Sequence, residues 1–233
     1  MNTTTSFRLQ LKEYRYAVII FYIVIILLFS IFSATSSLSL GEKQMNISGL
    51  EASSVWFIFV CGMNSFRSNF LFHLQLGSTR KTLFKGWFCS AATVCLGMAC
   101  FNLLLLLIMN FLLNVPVGSP IFAIEIENVP LRLLSGTIYY FCEYFLFISL
   151  GYLITCGFYR LSRTGKWIVS ILMGGLGMSF LILVENYENY IETIFFFPLT
   201  HPWMLSSIYL MLAAVVLSFC WLIIRRIPAK AAH

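Results

Sequence analysis

The chain has 233 residues, 60% of them hydrophobic and only 10% charged, with a formal net charge of +6. A soluble domain carries about a quarter charged residues, so this chain has too little charge to cover a water-facing surface. Several apolar runs also reach the ~20 residues that cross a bilayer core, which points to an integral membrane protein.

In chain order, the first predicted element is a short amphipathic helix over Phe7–Arg15. Phe7, Leu11 and Tyr14 recur at helical spacing, with Arg8, Lys12 and Arg15 on another face, as in a helix lying on the inner membrane surface. Six membrane spans follow. They are predicted at Tyr16–Ser33, Gly49–Phe66, Phe84–Asn114, Leu134–Phe158, Trp167–Val184 and Trp203–Ile224. The third is long enough to tilt or to extend past the bilayer. No connection is long enough for a separate domain, so residues 1–233 are expected to form one all-α transmembrane domain. The first span is too long to be the core of a cleavable leader, and no clean small-residue cleavage site follows it.

Two later stretches stand out. In the fifth span, Ser170 with Gly174 and Gly175 with Ser179 give small residues at four-residue spacing, which lets helices approach closely. Between spans five and six, ENYENYIETIFFFPLTHPW (Glu185 to Trp203) is too aromatic for a solvated loop. It is expected to dip back into the outer leaflet or to pack over the bundle, with Pro198 and Pro202 breaking its helix.

The charges set an orientation. Arg8, Lys12 and Arg15 precede span one, and Arg67, Arg80, Lys81 and Lys85 lie between spans two and three. Arg160, Arg163 and Lys166 lie between four and five, and Arg225, Arg226 and Lys230 follow span six. Only Lys43 and Arg132 fall on the opposite side. Basic loops stay in the cytoplasm, so both termini are expected inside. Topology therefore accounts for the positive charge without a nucleic-acid partner, and a basic inner face suits anionic membrane lipids. The seven cysteines all fall in predicted spans, with no CxxC or Cys/His cluster. They read as small buried hydrophobes rather than metal ligands or disulfides.

The segment LQLGSTRKTLFKGW, Leu74 to Trp87, has the look of a phosphate loop but lacks its essential part. Counting from Gly77, the Gly-Lys pair of a nucleotide cradle would fall where Thr82 and Leu83 stand. No Walker motif occurs elsewhere, so this chain cannot hydrolyse ATP itself. Upstream, Phe66, Phe70 and Leu74 form one helical stripe, and Ser65, Asn69 and His73 form another. Gly77 suits the end of that helix, and Ser78 or Thr79 suits the cap of the next. A helix with an apolar stripe at the inner interface needs a partner, either the membrane surface or a groove on another protein.

These residues resemble a known family. ISGLEASSVWFIFVCGMNSF (Ile47 to Phe66) and FHLQLGSTRKTLF (Phe72 to Phe84) are similar to the permease subunits of bacterial type-2 ABC exporters, of the small Gram-positive kind with a separate ATPase subunit. The resemblance implies that Phe66–Leu76 is a short cytosolic coupling helix between spans two and three. Phe66, Arg67, Phe70, Leu71, Leu74, Gly77, Arg80 and Lys81 would then form the ATPase-docking surface. It further implies two permease chains, identical or related, with two ATPase chains that bind the ATP and Mg. This chain itself holds no cofactor. The setting would be the bacterial cell membrane, with the substrate path at the permease interface. Exporters of this build move antimicrobial peptides, drugs, lipids or polysaccharides, and the aromatic spans suit an apolar or amphipathic cargo.

Glu143 is the lone intramembrane acid, about 14 Å into span four at 1.5 Å per residue. Such a group faces the bundle interior or a wet cavity. It either lines the substrate path, together with Tyr140 and Tyr144, or stays protonated and bonded to a neighbouring helix. An intramembrane enzyme fits poorly. The chain has no Asp, no H-E-x-x-H motif, and His73 and His201 are expected on opposite faces of the membrane. A stand-alone immunity or sensor protein that binds a toxin without moving it is the alternative, and it would need no ATPase.

Overall fold

The computed structural model describes residues 3–38, 49–75, 77–113, 129–161 and 202–226. These form five helices, α1 (Thr3–Leu38), α2 (Gly49–Gln75), α3 (Arg80–Leu113), α4 (Val129–Arg160) and α5 (Pro202–Arg226). No strand occurs among the described residues. Three stretches are long and apolar enough to cross a membrane: Arg80–Ile108, Pro130–Arg160 and Trp203–Arg225. They match the third, fourth and sixth predicted spans, and the chain reads as a membrane protein. The first and second predicted spans lie within α1 and α2, the latter with a shorter apolar stretch, Ala52–Phe66. The predicted fifth span and the aromatic segment up to His201 lie outside the described residues.

One expected boundary is corrected. Residues 7–15 are not a separate surface helix but the opening turns of α1. Their inward face is Ser6, Gln10 and Tyr14, and it continues into Tyr22 and Ile25 on the same side. A single buried stripe therefore runs through the polar and apolar parts, and nothing breaks the helix between them. α2 runs without interruption to Gln75, so the second predicted span and the segment after it form one helix.

α4 is the hub, packing extensively on both α2 and α5 and also on α3. Half of its apolar window is buried, against 17% of that of α5, so α5 faces the surroundings while α4 sits inside. The α2–α4 crossing is made close by two glycines. A Cβ on Gly62 would collide with the Ile148 carbonyl, and one on Gly151 with the Phe59 carbonyl and the Met63 amide. Small residues at such a crossing let backbones touch where apolar burial gives no drive between helices. The Thr155 hydroxyl donates across the crossing to the Met63 carbonyl at 2.8 Å. α1 packs along α3, where the Tyr22 hydroxyl donates to the Met98 carbonyl at 3.2 Å. Its Phe21 stacks on Phe57 of α2 with ring centroids 4.0 Å apart.

These contacts gather one set of helix ends. The start of α1 meets the start of α3 at Ser6 and Gly86. The end of α2 meets the end of α4 through Phe66 and Tyr159. The end of α5 meets the start of α3 through Arg80. The basic residues of those ends therefore share one end of the bundle, with Arg132 at the opposite end of α4.

Candidate functional site

The turn that joins α2 to α3 is built as its residues require. Gly77 has φ +71°, the left-handed conformation that favours a residue without Cβ and commonly follows a helix C-terminus. Of the two candidate caps, Thr79 takes the role. Its hydroxyl accepts from the Thr82 amide at 3.2 Å and lies 2.7 Å from the Thr82 hydroxyl. Ser78 is buried instead.

Arg80, expected to face a partner, turns back on its own chain. Its guanidinium donates to the carbonyls of Ile224 at 3.3 Å and Arg225 at 2.6 Å. The last carbonyls of a helix have no intrahelical donor, and a cation beside them is favourable. Arg80 therefore ties the α2–α3 turn to the end of α5. Lys81, next to it, is exposed. Arg80→Gln is expected to lower stability by about 1 kcal/mol and to speed hydrogen exchange in the last turn of α5. Exchange measured residue by residue on the detergent-solubilised chain checks this.

Phe66 is the root of the proposed coupling segment and is fully buried. Its ring meets Tyr152 edge-on at 5.4 Å and Tyr159 at 5.7 Å, both on α4. Tyr152 in turn stacks on Trp87 of α3, with centroids 3.8 Å apart and planes 20° from parallel. The Trp87 indole N–H donates to Ser65 Oγ at 3.1 Å, and Ser65 donates to the Gly62 carbonyl at 2.9 Å. On the other side of Trp87, the Ser90 hydroxyl lies 3.2 Å from Gln10 Oε1, whose amide donates to Ser6 Oγ at 3.3 Å. The buried Tyr14 hydroxyl lies against Ser65 and Trp87 without a well-aligned bond. The C-terminal half of α2 is thus joined to α1, α3 and α4 by one cluster of rings and short bonds. Sequence reading missed Trp87, Tyr152, Gln10 and Ser90. The available signal was a polar stripe, Ser6 and Gln10, where an apolar one was expected.

The side chains of Arg67, Phe70, Leu71 and Leu74 lie outside the described residues, and the backbone that carries them is helical.

Midway along α4, the tyrosines divide. Tyr144 is fully buried and its hydroxyl accepts from Asn102 Nδ2 of α3 at 2.8 Å, while Tyr140 stacks one turn away at 5.9 Å. Asn102 Oδ1 is buried without a hydrogen bond among the described residues. Tyr139 points to α5, where its ring lies 6.0 Å from that of Tyr209. Glu143, half-buried, also interacts electrostatically with Tyr209. The acid therefore sits on the α4–α5 side, one turn beyond Tyr139, and Tyr144 is occupied with α3. No group of three or more His, Cys, Asp or Glu suited to a metal ion occurs among the described residues.

The chain matches no protein-family model, and no curated protein or solved structure shows significant similarity to it.

Proposed function

We propose that this chain is the transmembrane subunit of an ATP-driven exporter, powered by a separate ATPase that docks on the last turns of α2. The observation that carries this reading is the way α2 ends. It continues past its apolar part to Gln75, stops at a left-handed Gly77, and is anchored at Phe66 into the aromatic cluster of α3 and α4. A push on residues 67–75 would enter the bundle at Phe66 and spread to α4 through Tyr152 and the glycine crossing. The sequence has no Walker motif, so the energy source would be a partner. The resemblance of Ile47–Phe66 and Phe72–Phe84 to bacterial type-2 ABC exporter permeases supplies the class, and with it a second permease chain and a cell-membrane setting.

The test is affinity isolation of the full chain from its own host's membranes in mild detergent. A soluble ATP-hydrolysing subunit is expected to co-isolate. Phe70→Glu combined with Leu74→Glu should stay in the membrane and lose it. A chain that protects cells from a toxic peptide while carrying no ATPase would be an immunity or sensor protein instead.

Under this reading Glu143 faces the route of an apolar or amphipathic cargo along α4 and α5. Glu143→Gln keeps the shape and removes the titratable group, so it is expected to reduce ATP-dependent efflux while leaving the complex intact. Efflux equal to wild type would remove Glu143 from the path.

A further inference from the structure

A cavity of about 580 Å³ opens between the first two turns of α1 and the start of α3, apart from the coupling cluster. That volume falls within the roughly 300–1,000 Å³ of small-molecule sites. Its α3 wall is a single stripe, Lys85, Cys89 and Thr93, with Phe88 beside it, and its α1 wall includes Thr4 and Phe7. Lys85 and Thr93 are eight residues apart, hence about 12 Å along the helix axis. The two ends differ in chemistry. The shallow end holds the exposed Lys85 with Thr3 and Thr4, beside the rings of Phe7 and Phe84. At the deep end the Thr93 hydroxyl is turned back to the Cys89 carbonyl at 2.8 Å, which leaves its methyl group, Cys89 and Phe88 as the lining. No carboxylate lines the cavity among the described residues.

A groove that is cationic and hydroxylated where α3 begins, and apolar further into the helix's membrane-spanning stretch, matches a molecule with an anionic head and a hydrocarbon tail. We infer that this groove holds one anionic phospholipid, its phosphate on Lys85 and Thr4 and an acyl chain running along Phe88, Cys89 and Thr93. The site lies where the predicted surface helix would have met the membrane. Because that helix packs on α3 instead, its first turns wall a lipid site rather than cover the bilayer. The inference does not depend on the exporter reading, since it concerns only the α1–α3 groove and its place at a membrane surface.

The experiment is native mass spectrometry of the full chain released from nanodiscs of equal phosphatidylglycerol and phosphatidylcholine. The wild type is expected to retain one phosphatidylglycerol in preference to phosphatidylcholine. Lys85→Gln should reduce that preference about fivefold, the worth of one basic side chain near an anionic surface. Thr93→Trp should fill the deep end and reduce retention of both lipids. Lys81→Gln, outside the groove, should leave the preference unchanged. Equal retention of the two lipids by the wild type, or an unchanged ratio in Lys85→Gln, would overturn the proposal. So would an equal loss in Lys81→Gln, which would mean diffuse surface charge. Displacement of the retained lipid by soluble glycerol phosphate would show that the headgroup alone is recognised, and would likewise reject the lipid groove.

Discussion

Gly151→Leu is expected to be the most damaging single change in the described part of the chain. At that position the obstacle is the backbone of α2, the Phe59 carbonyl and the Met63 amide, rather than a side chain that could swing aside. Overpacking a well-packed site costs about 1–3 kcal/mol and occasionally more, and with no rotamer to relieve it the cost should be about 3 kcal/mol or above. The Thr155 bond to the Met63 carbonyl would be lost as the helices part. Gly62→Leu meets the Ile148 backbone on the other side of the same crossing and should behave alike. The pair together should cost less than the sum, since either one opens the same contact. Gly97 supplies the control, because a Cβ there would meet nothing within 4 Å. Gly97→Leu should change stability by no more than about 0.5 kcal/mol. Equilibrium unfolding of the purified chain in mixed micelles measures all four. Equal losses at Gly97 and Gly151 would mean that the crossing is not where α2 and α4 depend on each other.

Trp87→Ala should come next, because one ring joins three helices. It stacks on Tyr152, donates to Ser65, and is fully buried. Truncating a buried tryptophan costs about 3–5 kcal/mol. Trp87→Phe separates packing from bonding. It keeps an aromatic face for Tyr152 and loses only the Ser65 bond, worth about 0.6–1.7 kcal/mol inside a membrane protein. If the cluster carries motion from α2 as proposed, a complex built with Trp87→Phe should still contain the proposed ATPase subunit and turn over ATP, yet export less cargo per ATP. A variant with normal coupling and only lower stability would restrict Trp87 to a structural part.

Much of the layout was legible because the membrane imposes it. The apolar runs that became α3, α4 and α5 are long, uninterrupted and nearly free of charge, and a backbone in lipid has few alternatives to a helix. Gly77 was legible for a local reason, since only a residue without Cβ takes φ +71° at no cost where a helix must stop. The opening turns of α1 were not. Their alternating basic and apolar residues fit a surface helix, but Gln10 finds a hydrogen-bond partner in Ser90 of α3, eighty residues away in the chain, and Ser6 packs against Gly86 of the same helix. Periodicity reports which residues share a face and says nothing of what that face will meet. Arg80 shows the same limit. A cation in a basic turn suggests a docking site, and here it satisfies the last carbonyls of α5. The small residues noticed in the fifth predicted span lie outside the described residues. The pair that closes the crossing, Gly62 with Gly151, is split between two helices and so forms no motif along the chain.

The proposed mechanism turns on the far end of α2 meeting a nucleotide-hydrolysing partner on the cytoplasmic side. A photo-crosslinking amino acid placed at Leu74 in intact cells tests this most directly. It should yield an adduct with a separate ATP-binding polypeptide and stay out of reach of impermeant reagents added outside. Adducts only with lipid or with the chain itself, or reaction of position 74 with an external reagent, would contradict it.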